Sequence, residues 1–219
     1  MDRSGGHPGW LLLASRSPRR RSLLADAGLA PIVIDPGVDD GALTCGAVGP
    51  IGAAWAWSFF KAAAVALRAV SADRVVLGAD TFVVKAGVCI GKPTDAADAD
   101  RMIRLLSDGA HEVITGVCLI DRRSPASPGP RRFLVDRARV EVGLIGEAQR
   151  SAYLATGDWR GKAGAYNYDE RVADGWPLRT TGDPATVMGL PMRRLTPMLE
   201  RLRAGVDPDA AEEPKACAW

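Results

Sequence analysis

Apolar and polar positions fall into blocks along this chain, and the period changes from block to block. Residues 10–14 (Trp-Leu-Leu-Leu-Ala) form a short continuous apolar run, which predicts a buried strand. Ser17 and Pro18 then supply an N-cap and a first helical position for a helix to about Ala27, stopped by Gly28. Residues 31–35 predict a second strand, and 51–70 a long helix that is almost wholly apolar. The β-branched run 74–84 predicts a strand that turns at Lys85-Ala86-Gly87, and a short strand precedes Gly91-Lys92-Pro93. Beyond it come a helix over 95–106 and two strands, 113–120 and 133–142, paired around a Ser/Pro/Gly loop at 124–130. A helix at 147–155, an irregular Gly-rich segment and a last helix at 192–203 complete the pattern, with no internal repeat. Strands alternating with helices predict an α/β fold with a twisted mixed sheet. Residues 1–9 and the acidic, Pro-containing stretch 204–219 lack periodicity and read as flexible ends, leaving 10–203 as one domain.

Composition narrows the function classes. With 47% hydrophobic residues in 219, there is enough apolar material for one generous core. A formal net charge of +2 removes the case for a nucleic-acid binder driven by bulk basicity, so any anion binding must come from local placement. Cys45, Cys89, Cys118 and Cys217 show no metal-like spacing and read as reduced thiols. With no apolar leader and no run long enough to span a bilayer, the expectation is a cytoplasmic protein without a membrane partner.

The candidate chemistry lies in charges that sit out of place. Lys61 is the only charged residue between Gly52 and Val65, and Asp80 the only one between Val75 and Val84. Burying either ion alone costs several kcal/mol, so each needs a partner or a ligand. Two readings fit: a structural Lys–Asp pair in the core, or a cleft where lysine meets phosphate and aspartate holds a metal or activates water. Lys92 and Lys162 both follow glycine in tight segments, where backbone can approach a ligand closely. His111 opens a strand and reads as structural. Trp55, Trp57, Phe59 and Phe60 read as helix core rather than as a stacking platform.

The segment Ala14–Leu24, ASRSPRRRSLL, places three arginines in the first turn of a helix, the end that already carries positive partial charge. A strand before it and an apolar helix after it argue against a disordered basic motif. Ser15 and Ser17 in the loop, free N–H groups at the helix start, and Arg19 and Arg20 beyond make an oxyanion cradle. Successive helical residues lie ~100° apart, so one arginine, Arg21, is expected to face solvent.

Six collinear segments together resemble the Maf family of nucleoside triphosphate pyrophosphatases, the septum-formation-inhibitor-like proteins. They are LLLASRSPRRRSLL (11–24), FFKAA (59–63), LGADTFVV (77–84), GKPTDAADADRMIRLLSDGAHEVITGV (91–117), DWRGKAGAY (158–166) and GDPATVMGLPM (182–192). The resemblance implies hydrolysis of the α–β phosphoanhydride of a nucleoside triphosphate, dTTP or UTP among the candidates, with Mg²⁺ or Mn²⁺. It also implies an inosine-triphosphate-pyrophosphatase-like α/β fold of two lobes around a cleft, a homodimer, and a house-cleaning role in nucleotide metabolism. Carried over, Ser15, Ser17, Arg19 and Arg20 form the phosphate loop, with Arg20 the most direct. Lys61 and Lys92 neutralise the triphosphate, Asp80 is the main catalytic carboxylate with Thr81 beside it, and Asp40 joins Asp80 as a metal ligand. Lys162 is expected on the substrate. After KAGAY the family commonly reads Gly-Ile-Gln-Gly, whereas this chain reads Asn167-Tyr168-Asp169-Glu170, which brings Asp169 in as a further candidate substrate contact. The alternative reading is a nucleotide-binding regulator of cell division with little catalysis.

Overall fold

The computed structural model describes residues 9–38, 48–123 and 129–207. Asp39, Asp40, Cys45, Cys217, most of the 124–130 loop and nearly all of both predicted flexible ends lie outside the described residues.

The strands are β1 (Leu11–Ala14), β2 (Ile32–Ile34), β3 (Val75–Lys85), β4 (Val88–Ile90), β5 (Gly109–Asp121), β6 (Arg131–Val142) and β7 (Leu178–Thr181). They form one sheet in the order β2-β1-β3-β5-β6-β7, with β4 pairing β3. β2, β1 and β3 run parallel, while β3, β5, β6 and β7 pair antiparallel, so the sheet is mixed as expected. The helices are α1 (Pro18–Asp26), α2 (Gly49–Ala66), α3 (Ala96–Leu106), α4 (Glu147–Thr156), α5 (Tyr168–Ala173), α6 (Pro184–Met188) and α7 (Met192–Arg203). The segment read as irregular holds α5, β7 and α6. Each is six residues or shorter, too short to set up a readable period. Helix α2 ends at Ala66, four residues short of the expected end, and just beyond it Arg68 donates to the Asp35 and Pro36 carbonyls at 2.7 and 2.9 Å.

Alternation along β3 sends its residues to two faces. Leu12, Ala14, Val76 and Cys118 pack under α2 with Ala62 and Val65. On the opposite face Val75, Leu77, Ala79, Val117 and Leu119 form a core with Leu24 of α1 and Leu195, Leu199 and Leu202 of α7. Further along that same face, Val83 and Val113 belong to a separate core with α3, α4, Trp159 and Trp176. Thr81 and Thr115, register partners on β3 and β5, lie between the two cores. A polar seam therefore divides the apolar face at the point where β1 has ended and β3 continues with β5. Crevices beyond the carboxyl ends of parallel strands are where α/β sheets bind ligands.

Two glycines bring α2 onto this sheet at very short range. A Cβ on Gly78 would lie 2.3 Å from the Ser58 carbonyl oxygen and 2.5 Å from the Ala62 amide nitrogen. One on Gly116 would lie 2.2 Å from the Ala54 carbonyl oxygen. Gly78, Asp80 and Gly116 share this face, since Asp80 follows Gly78 by two and pairs with Gly116. The approach that brings α2 down on these glycines also lays Lys61 beside Asp80.

The aromatic cluster of α2 is only partly core. Trp57 is buried, but Trp55 and Phe60 are 44% and 51% exposed. Trp55 stacks on Phe133 at 4.3 Å, and Arg131 lies over Phe59. Of the described cysteines, Cys118 is free and buried, as expected for a reduced thiol, whereas Cys89 departs from that expectation in being disulfide-bonded.

Candidate active site

Lys61 Nζ donates to Asp80 Oδ1 at 2.6 Å, with the two side chains 5% and 13% exposed. Lys61 is buried and Asp80 partly so, and both residues line a cleft of about 540 Å³ that opens along the polar seam. The two readings of these charges are therefore not exclusive. Lys61 fixes one carboxylate oxygen, and no described residue engages the other.

One wall of the cleft is the loop between β1 and α1. Ser15 is buried, and its Oγ accepts from the Ser17 amide at 3.1 Å, while Ser17 caps α1 through the Arg20 amide at 3.4 Å. Pro18 stands at the first helical position, and no acidic residue lies in the first turn. The remaining positive end of α1 faces the cleft with Arg19, which is half-buried. Arg21 is exposed and lines no part of it, as its helical position requires.

Arg20 is a clasp. It is 8% exposed, and its Nε donates to the Gly189 carbonyl at 3.0 Å. Its two terminal nitrogens donate to Ser15 Oγ at 3.2 Å and Thr81 Oγ1 at 3.0 Å. Thr81 lies 2.9 Å from Thr115 Oγ1, which donates to the Thr186 carbonyl at 2.8 Å. Arginine and hydroxyls thus join the α1 loop, the sheet and the α6–α7 turn across the seam. The roles of Thr115, Thr186 and Gly189 were not legible as chemistry, because small polar residues in a strand or turn carry no spacing signal.

The far wall holds the two glycine-flanked lysines. The Gly164 amide donates to the Gly91 carbonyl at 3.0 Å, tying the segment of Lys162 to that of Lys92. Gly164 has φ +69°, and a Cβ there would press on Leu106 and Val83. Lys92 and Lys162 both line the cleft. Lys162 Nζ donates to Glu170 Oε2 at 2.8 Å. Burial alone would raise the Glu170 carboxyl, but hydrogen bonds from Lys162 and Asn167 hold it below the usual range. Asp169 is exposed and outside the cleft lining, whereas its neighbour Glu170 is part of it. Helix α5 starts at Tyr168 and turns Asp169 outward.

His111 lies buried in this wall, its Nε2 3.0 Å from Tyr166 Oη. Burial, with a smaller push from Lys85, lowers its pKa to about 4. The folded state therefore resists a proton that the unfolded chain accepts near pH 6.5, so stability falls as pH drops from about 6.5 to about 4. The loss expected over that window is about 3 kcal/mol. Urea midpoints should show the acid-side slope shrinking in His111→Gln, and an unchanged slope would contradict this assignment.

Of the residues singled out from the sequence, Ser15, Ser17, Arg19, Arg20, Lys61, Asp80, Thr81, Lys92 and Lys162 converge on the one cleft. Asp40 is outside the described residues, among which no group of three or more His, Cys, Asp or Glu is placed to hold a metal ion. No helix among the described residues is long and apolar enough to cross a membrane.

A mixed α/β sheet with a helix N-terminus, clustered cations and the lysine-bound Asp80 carboxylate around a cleft defines the class: a protein whose site suits a polyanion held next to an acid. The chain belongs to the Maf-like protein family, whose model matches residues 10–202. It is 40% identical over 191 residues to a dTTP/UTP pyrophosphatase of Anaeromyxobacter sp. (strain Fw109-5), covering 87% of this chain and 88% of that one. It is 38% identical over 199 residues to a dTTP/UTP pyrophosphatase of Geobacter sulfurreducens, covering 90% and 98%. Among solved structures, a nucleoside-triphosphatase / dITP/XTP pyrophosphatase from Mycobacterium abscessus aligns at 13% identity and a TM-score of 0.37, over 62% of this chain and 75% of that one.

Proposed function

We propose that this protein hydrolyses the α–β phosphoanhydride of nucleoside triphosphates, dTTP and UTP foremost, to the monophosphate and pyrophosphate. The observation that carries the reading is the Lys61–Asp80 pair, largely withdrawn from solvent but opening on a cleft lined with cations. The names of the relatives support the substrate class. In the reaction, water attacks the α phosphorus and gives its proton to Asp80. The bond to the bridging oxygen breaks, and its electrons leave with pyrophosphate. Lys61 holds the Asp80 carboxylate in place. Arg19, Lys92 and the α1 N-terminus offset charge that builds on the departing group, where fixed donors are most effective. Ser15, Ser17 and Thr81 position the phosphates and Arg20.

A divalent cation, Mg²⁺ or Mn²⁺, fits this donor set in a limited way. Mg²⁺ commonly takes one or two carboxylates together with substrate phosphates, and Asp80 offers the oxygen that Lys61 leaves. Asp40 is the second ligand proposed. The cation would polarise the phosphoryl oxygens. A cytoplasmic enzyme and a homodimer complete the proposal. The alternative is a division regulator with little catalysis; a carboxylate at Asp169 would favour it by repelling phosphate, but Asp169 lies outside the cleft lining.

The test is a pyrophosphate-release screen over NTPs and dNTPs with Mg²⁺ or Mn²⁺. Release of orthophosphate alone would overturn the bond assignment. The arginines give a second check. Arg21→Ala should stay within about twofold of wild type, while Arg20→Ala should lose about 100-fold in kcat/KM and some thermal stability, because it opens the clasp. Equal losses would mean that the α1 facing is wrong.

A further inference from the structure

Thr115 lies outside the cleft lining and is fully buried on β5, as Thr186 is on α6. Hydroxyls this deep need partners, and here the partners leave only one way to arrange the protons. The Thr186 carbonyl can only accept, so the Thr115 proton goes to it, across 2.8 Å. The 2.9 Å contact between Thr115 Oγ1 and Thr81 Oγ1 must then carry the Thr81 proton. Thr81 in turn accepts from a terminal nitrogen of Arg20 at 3.0 Å.

The direction is therefore fixed from Arg20 to Thr81, to Thr115 and on to the Thr186 carbonyl. That carbonyl also accepts from the Gly189 amide at 3.2 Å, and the Gly189 carbonyl accepts from Arg20 Nε at 3.0 Å. The bonds make a closed circuit. It ties two nitrogens of the guanidinium, one directly and one through two hydroxyls, to the α6–α7 turn. Hydrogen bonds linked in this way polarise and strengthen one another. Thr81 lines the cleft, yet its proton is committed to Thr115, so it bears on the substrate through Arg20 and not as a donor to a phosphate oxygen. Without the Thr115 hydroxyl, the Thr81 proton must turn toward another acceptor, and the lone pair that receives the Arg20 N–H turns with it.

We propose that Thr115 is a positioning residue for the hydrolysis, acting through Thr81 to hold the Arg20 guanidinium where the phosphates bind. This rests on the cleft being a nucleoside triphosphate site. It puts a determinant of the rate on the strand next to that of Asp80, in a side chain that never meets the substrate.

The test measures kcat and KM for pyrophosphate release from dTTP by the full chain. Thr115→Val keeps the shape of the side chain and removes the hydroxyl. It should lower kcat about tenfold with KM within about threefold, since a small misplacement of a charge-stabilising group costs rate more than binding. Thr115→Ser keeps the hydroxyl and should stay within about threefold of wild type. A purely structural defect would lower activity in any background, so the decisive measurement repeats Thr115→Val in Arg20→Ala. With the guanidinium already gone, the valine should cost no more than about twofold. If circular dichroism shows Thr115→Val poorly folded, Thr115→Ala takes its place in both backgrounds. A similar loss in both backgrounds, or a folded Thr115→Val as active as wild type, would overturn this assignment and leave the proposed function standing. If wild type released pyrophosphate from no nucleotide, the proposed function would fall, and this assignment with it.

Discussion

Asp80→Asn should reduce pyrophosphate release from dTTP about 1,000-fold, within the range by which a positioned base accelerates a reaction. Asparagine keeps the volume and one carbonyl oxygen for Lys61, so the 2.6 Å contact can persist as a hydrogen bond. What it removes is the basic oxygen that would take a proton from water or hold a cation. Nucleotide binding measured by calorimetry should change far less than turnover, and the fold should remain. Lys61→Met tests the other partner. It leaves Asp80 a buried charge with its nearest described cation gone, and breaking such pairs costs about 3–5 kcal/mol. That variant should lose stability as well as activity. If Asp80→Asn kept more than a tenth of wild-type turnover, this carboxylate would not be the reacting acid.

The second large effect is structural. Gly116→Val should destabilise the fold by about 3 kcal/mol or more, enough to unfold many domains of this size near physiological temperature. Its Cβ would stand 2.2 Å from the Ala54 carbonyl oxygen, and backbone cannot step aside as a flexible side chain does. Gly78→Val should act similarly through Ser58 and Ala62. Any folded remainder should show reduced activity, because lifting α2 from the sheet withdraws Lys61 from Asp80. Denaturant midpoints and turnover measured together check this. A valine at 116 without effect on either would mean that α2 packs elsewhere.

These two sites also show what was readable in the chain. Lys61 and Asp80 announced themselves because an isolated charge in an apolar run has few explanations. Gly78 and Gly116 did not, since a glycine in a strand pattern says that something comes close, not what. The long elements were legible because their periods repeat. α5, β7 and α6 were not, being shorter than the windows in which a period can be counted. Arg20 lines the cleft, but its hydrogen bonds to Gly189 and Thr81 depend on residues far away in sequence. Asp169 was singled out for its charge, and only the start of α5 reveals that Glu170 and Asn167 face the cleft instead.

The bond from Arg20 to Gly189 spans 169 positions of the chain. During synthesis the amino-terminal half of the cleft, with the α1 loop, Lys61 and Asp80, emerges from the ribosome long before Gly189 does. Until then the guanidinium lacks the carbonyl that its Nε donates to, and the β1–α1 loop has no lock on its far side. A nascent chain therefore carries the reactive residues without the finished site. The clasp around Arg20 is complete only once the α6–α7 turn lies across the sheet, and a chain truncated ahead of that turn is expected to be inert.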